Sequence, residues 1–254
     1  MRTNLRTTAA TFLAAALLAA ATGTTASAKD LSPSEILQRM DQAISGYADQ
    51  AMDVTMTIID ADGAIKSYDF GIQQKGLHMR MIRMLSGELK GMSTLVEGRD
   101  RIYVYLPGFK KVRRVAAHNL NQTFAGSDFT NDDMAATTWA DEYDATLVSQ
   151  DDASWTLLCR PKPGSKAQHP EAQVTVTKQG FYQQVAEYRD ATGTPVRRLV
   201  GSDLKDFHGV ARYSSVEMTD VRTGHRTILS IRDFRVNRGL ADALFSTRQL
   251  EWGN

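Results

Sequence analysis

The chain has 254 residues, with 30 Lys and Arg against 29 Asp and Glu and a single cysteine. A formal net charge of +1 lacks the strong basic excess that nucleic-acid binders show. One cysteine closes no internal disulfide, so the fold must hold through its core, and the length suits one large β domain or two small ones.

Arg2 and Arg6 precede a short apolar run, Phe12 to Ala21, and Ala26-Ser27-Ala28 is an A-x-A cleavage site before Lys29. Residues 1–28 read as a cleavable secretory signal peptide and residues 29–254 as the exported domain. The residue directly after the cleavage site is Lys29 and not cysteine, so no lipid anchor is expected at the new N-terminus. No other stretch approaches the roughly 20 apolar residues a membrane span needs. Cys159, in Trp155-Thr156-Leu157-Leu158-Cys159, reads as a strand residue of the core.

Leu31-Ser32-Pro33-Ser34-Glu35-Ile36 is a dense helix-start signal. Ser32 fits the N-cap, Pro33 the first helical position, and Glu35 completes a capping box, with Leu31 and Ile36 as a hydrophobic staple. Ile36, Met40, Ala43, Ile44 and Tyr47 then recur at helical spacing, so the helix needs a surface to cover. Val54, Met56 and Ile58 alternate with polar residues up to the Asp62-Gly63 hairpin turn. Tyr68 to Gln74 is a second strand, followed by Leu77, Met79 and Met81 with His78 and Arg80 on the other face. Met92 to Glu97 and Arg101 to Leu106 continue the ladder.

Pro107-Gly108 turns the chain, and Lys110, Lys111, Arg113 and Arg114 interleave with Val112 and Val115 on the return. This basic run is either the solvated edge of a hairpin or a contact for anionic headgroups or an acidic partner. Beyond a polar loop, Thr130 fits an N-cap and Asp133 its N3 position, opening a helix towards Trp139. Further strand pairs run from Tyr143 to Cys159 and, after a proline-rich loop, from Gln173 to Val236, ending in a helical turn at Ala241 to Phe245.

Nearly every connection is a hairpin, which defines a mainly β (α+β) class with one antiparallel sheet. The expected form is a curved half-barrel of about ten to eleven strands with helices across its concave face, because long antiparallel sheets twist and curl. Met52, Met56, Met79, Met81, Met84 and Met92 crowd the first strands. They are either ordinary core filling or the adaptable wall of an apolar cavity.

The stretch KGLHMRMIRMLSGELKGMSTLVEGRDRIYVYLPGFKKVRRV (Lys75 to Val115) and FAGSDFTNDDM (Phe124 to Met134) resembles the outer-membrane lipoprotein-sorting, LolA-like family of periplasmic proteins. Asp30 to Leu37 and Thr55 to Asp60 fit its N-terminal part. The resemblance implies a half-barrel in the periplasm that shelters acyl chains of a lipoprotein or lipid and passes them towards an outer-membrane acceptor. It further suggests partnership with an inner-membrane resistance-nodulation-division (MMPL-type) exporter. On this reading Val54, Met56, Ile58, Met79, Met81, Leu95, Val104 and Leu106 line the cavity, a lid helix starts at Thr130 and Asp133, and the protein works as a monomer. The alternative is a binding module, either an accessory subunit of such an exporter or an envelope sensor of lipidated proteins.

No chemistry-bearing motif competes. His78, His118, His169, His208 and His225 lack metal-ligand spacing, and there is no G-x-S-x-G, Walker A or G-x-G-x-x-G. Asp128, Asp132 and Asp133 lack the calcium-loop pattern and read as turn and capping residues. Asn121-Gln122-Thr123 matches a glycosylation sequon, a pattern short enough to arise by chance. No enzyme, cofactor or metal is expected.

Overall fold

The computed structural model describes residues 31–99, 101–135 and 138–252. The signal-peptide reading of residues 1–28 lies outside the described residues. Helix α1 (Pro33–Ser45) starts on a complete capping box: the Glu35 amide donates to Ser32 Oγ at 3.2 Å, and the Ser32 amide donates back to the Glu35 carboxylate at 2.8 Å. Its apolar stripe is buried through Ile36, Leu37 and Met40.

After α1 come β1 (Asp49–Ile59), β2 (Ile65–Lys75), β3 (Met79–Met84), β4 (Ser93–Glu97), β5 (Ile102–Leu106) and β6 (Lys111–Arg114). Two four-residue helices follow, α2 (Asn131–Met134) and α3 (Trp139–Glu142). The chain continues through β7 (Tyr143–Gln150), β8 (Ser154–Pro161), β9 (Glu171–Thr177), β10 (Gln183–Arg189), β11 (Pro195–Phe207), β12 (Val210–Asp220) and β13 (Arg226–Val236) to α4 (Thr247–Trp252).

All thirteen strands form one open antiparallel sheet in the order β6-β5-β4-β3-β2-β1-β13-β12-β11-β10-β9-β8-β7. The chain thus builds one wing outward from β1 to β6, jumps to the far edge at β7, and builds the second wing back until β13 pairs with β1. That jump dictates the architecture. The segment 115–142 must pass from one sheet edge to the other, so it runs over a face instead of turning as a hairpin. Its Phe124, Phe129 and Met134 are buried in the central core together with α1 residues and Met52, Val54, Met56 and Ile58 of β1.

The sheet fits the expected half-barrel, with thirteen strands where about ten to eleven were expected. The short strands β3 to β6, four to six residues each, pack four passes into the first wing. In the second wing, β11 runs unbroken from Pro195 to Phe207 with Asp203 at φ 59°, and the reversal comes at His208-Gly209.

The helices also differ from expectation. Two short turns replace the single helix after Thr130. α4, missed beyond the turn at Ala241–Phe245, covers the opposite face: Phe245 and Leu250 bury Met81 and Leu95 there, with Tyr103, Tyr105 and Val112 packed around them. The first wing is therefore covered on both sides.

Candidate functional site

Period-2 alternation and ladder register place each expected cavity residue. One row across the first wing reads Met52, Ile72, Ile82, Thr94, Val104 and Arg113, all facing α1 and the crossing segment. The adjacent row reads Ala51, Gln73, Met81, Leu95, Tyr103 and Arg114, facing α4. Val54, Met56 and Ile58 therefore meet in the central core, and Val104 and Leu106 lie half-buried further out on the same face. Met79, Met81 and Leu95 do not join them. They belong to the opposite face, because residues one position out of phase in a strand point the other way.

The space under the crossing segment is mostly filled. Val54 is 2% exposed and Met56 0%. What remains is a hollow of ≈ 220 Å³ whose lining sets apolar and aromatic groups beside charged ones, among them Asp41, Arg80, Arg99, Asp132, Asp133 and Arg197. These groups fasten the crossing segment to its surroundings. Arg99 meets Asp132 through two bonds of 2.8 Å and Glu142 through a third of 2.8 Å. Burial opposes the Arg99 charge, but the two carboxylates outweigh it and hold the guanidinium above its ordinary range.

Arg197 on β11 donates to Asp133 at 2.5 Å and to the Asp128 carbonyl at 2.8 Å, with its guanidinium 5.4 Å from the Tyr188 ring centre. Arg80 on β3 donates to the Met134 carbonyl at 2.7 Å and to Gln74 Oε1 at 2.7 and 3.0 Å. With no carboxylate in ion-pair range among the described residues, Arg80 is pushed down to about 10 by burial, helped by repulsion from Arg212. Asp41 on α1 accepts the Trp139 and Ala140 amides at 2.9 and 2.8 Å, capping α3 from another helix. Burial raises its carboxyl to about 6.

A second fastening lies at the hairpin end. His225 Nδ1 is 2.7 Å from Asp128 Oδ1 and its Nε2 is 3.0 Å from Asp60 Oδ1, while Thr227 Oγ1 donates to Asp128 at 2.7 Å. The acidic run is thus more than turn and capping residues. Thr130 and Asp133 do form a capping box, with bonds of 3.1 and 2.7 Å, but Asp128, Asp132 and Asp133 each also take a cation from elsewhere. Sequence reasoning missed Asp41, Arg80, Arg99, Arg197 and His225. The one available signal was Arg80 in a strand, and it was assigned to the wrong face.

Lys110, Lys111, Arg113 and Arg114 are exposed around the edge strand β6, beside Phe109 at 67% exposure. Cys159 is buried, and burial pushes its thiol up to about 12, so it is unreactive near neutral pH. Among the described residues, no group of three or more His, Cys, Asp or Glu is placed to hold a metal ion.

Comparison with solved structures defines the class: an open antiparallel LolA-like sheet. A DUF1329 family protein from Desulfovibrio piger is similar at TM-score 0.79 and 23% identity, covering 87% of this chain and 100% of that one. A putative outer membrane lipoprotein-sorting protein domain from Vibrio parahaemolyticus follows at 0.75 and 19%, over 86% and 98%. A LolA superfamily protein from Nitrosomonas europaea gives 0.72 and 19%, over 86% and 99%. At such identities the likeness is one of fold. A family model described as that of an uncharacterized protein matches residues 76–252. The chain belongs to that family, and its fold is LolA-like. No curated protein matches the chain.

Proposed function

We propose that this protein is a periplasmic carrier that shelters acyl chains of a lipoprotein or lipid between its sheet and the crossing segment. It works as a monomer and hands cargo from an inner-membrane RND/MMPL-type exporter towards an outer-membrane acceptor. The observation that carries this reading is the way segment 115–142 is held. It lies over the sheet as a separate cover fastened by arginine–carboxylate contacts, so it can lift without unzipping a strand.

The hollow, ≈ 220 Å³, falls short of the roughly 300–1,000 Å³ of ordinary ligand sites. Cargo enters by displacing the cover. Each methylene removed from water gains about 0.8 kcal/mol, so one long acyl chain supplies roughly 12 kcal/mol gross against that opening cost. Affinity differences between successive partners then move the cargo without ATP. The exposed Lys110, Lys111, Arg113 and Arg114 with Phe109 form a basic hairpin suited to anionic headgroups at the donor membrane.

The test is to purify the protein from an envelope fraction, extract it with organic solvent and quantify what accompanies it. Stoichiometric phospholipid or acylated peptide is expected, with more in an Arg99→Gln/Arg197→Gln variant whose cover is loosened. An interior empty in both proteins, together with tight binding to an exporter, overturns the carrier in favour of an accessory module. Replacing the four basic residues with Gln and finding unchanged transfer from anionic liposomes removes the headgroup role.

A further inference from the structure

The face turned away from the crossing segment carries a groove of its own, ≈ 510 Å³, between the outer side of β1–β3 and the segment leading into α4. Its walls are Met81, Leu85, Leu240 and Leu244. The floor is low where Ala51 and Gly71 face outward from β1 and β2, between the larger Asp53 and Gln73 of the same face. A Cβ added at Gly71 would come no closer than 3.9 Å to the Met52 carbonyl oxygen, so the backbone there does not require glycine. The absent side chain leaves open space instead.

Three arginines line the same groove. Arg235 is already neutralised by Asp53 at 2.7 Å and Asp233 at 2.9 Å. Arg83 and Arg238 have no carboxylate in ion-pair range among the described residues; Arg83 donates only to the Gln249 carbonyl, at 2.9 Å. The half-buried Arg83 guanidinium is costly without a counter-charge, and an anion placed against it removes that cost; the exposed Arg238 adds a second positive charge. A largely apolar trough with one half-buried guanidinium lacking a carboxylate partner and a second, exposed one matches an amphiphile with one alkyl tail and an anionic head.

We propose that this outer groove binds a single-chain anionic lipid, the tail lying over Gly71 against Met81, Leu240 and Leu244 and the carboxylate or phosphate head meeting Arg83 and Arg238. The site is separate from the space under the crossing segment. It stands or falls independently of the carrier reading.

The experiment titrates the full mature chain with cis-parinarate, a fluorescent long-chain fatty acid, and with the corresponding alcohol. Saturable binding of one parinarate per chain is expected, displaced by palmitate if a carboxylate suffices or by lysophosphatidylglycerol if a phosphate is preferred. Displacement by neither overturns the proposal. Gly71→Leu fills the trough and should weaken parinarate by about tenfold or more. An Arg83→Gln/Arg238→Gln variant should weaken the acid by a similar factor and leave the alcohol unchanged. Wild-type affinity in Gly71→Leu, or equal loss of acid and alcohol in the arginine variant, overturns the assignment. If Gly71→Leu fails to fold, photolabelling of the wild type with a diazirine fatty acid decides. Label on Met81, Leu240 or Leu244 supports the outer groove, and label confined to Phe129 or Met134 overturns it.

Discussion

Arg197 Nη2 donates to Asp133 Oδ2 at 2.5 Å, and that same carboxylate accepts the Thr130 amide at 2.7 Å to close the capping box of α2. One oxygen therefore ties a strand of the second wing to the start of a helix in the cover. Because Arg197 also holds the Asp128 carbonyl, a single guanidinium fixes both ends of the turn Asp128–Asp133.

Arg197→Met keeps the stem of the side chain over Tyr188 and removes the charge. It leaves Asp133 largely buried, with its capping bonds alone. A cost of about 1–3 kcal/mol is expected, between surface and fully buried pairs. Hydrogen exchange should register it first in the amides of residues 124–133, with the strands of the first wing unchanged. Uniform loss of protection across the whole sheet would contradict a local fastening.

Met56 and Met79 separate the two faces. Met56 is 0% exposed in the central core, so Met56→Ala should cost about 2–5 kcal/mol by lost transfer and cavity formation. Met79 is only partly buried at the margin of the α4 side, and Met79→Ala should cost clearly less, about 1 kcal/mol or below. Urea unfolding of the two variants checks this. Equal costs would mean that the two residues share one environment.

What was legible in the chain was local. The capping boxes of Ser32–Glu35 and Thr130–Asp133, the Asp62-Gly63 turn and the alternation of Val54, Met56 and Ile58 are all written within a few neighbouring residues. Met79, Met81 and Leu95 went to the wrong face because each strand's phase relative to its neighbour depends on the preceding turn, and a slip of one reverses every side chain. Arg99–Asp132, Arg197–Asp133 and His225–Asp128 join residues 33 to 97 positions apart. Nothing in local spacing encodes such pairs. They follow only once β7 is known to occupy the edge opposite β6.

Asp41 gives a pH dependence with a definite sign. Burial raises its carboxyl from 3.8 to about 6, so the folded state holds this proton more tightly than the unfolded chain does. Its contribution favours folding at low pH and is lost as pH rises from about 4 to about 6. Asp41→Asn removes the titration while keeping an acceptor for the α3 amides. The stability of wild type relative to this variant should fall across that window by up to about 3 kcal/mol, read from urea midpoints at several pH values. A flat difference would show that the carboxyl is ionised at its ordinary pKa.

His225, in a loop, gives a second pH dependence of the same sign. Partial burial opposes its charge, but the hydrogen bonds and negative charges of Asp128 and Asp60 prevail and raise its pKa above the ordinary 6.5. A histidine raised in this way contributes stability that is fully present below pH 6.5 and lost as pH climbs through the folded value. Deprotonation leaves one ring nitrogen without a hydrogen to donate, so either Asp60 or Asp128 loses its bond. Asp128 also receives Thr227 Oγ1 at 2.7 Å, so the contact to Asp60, whose side chain is 40% exposed, is expected to break first. Titration of the His225 ring followed by NMR should give a value above 6.5, with exchange at the hairpin around Asp60 rising through the same pH range. His225→Gln should abolish that step, and a ring titrating at or below 6.5 would mean that the two carboxylates do not clamp it in solution.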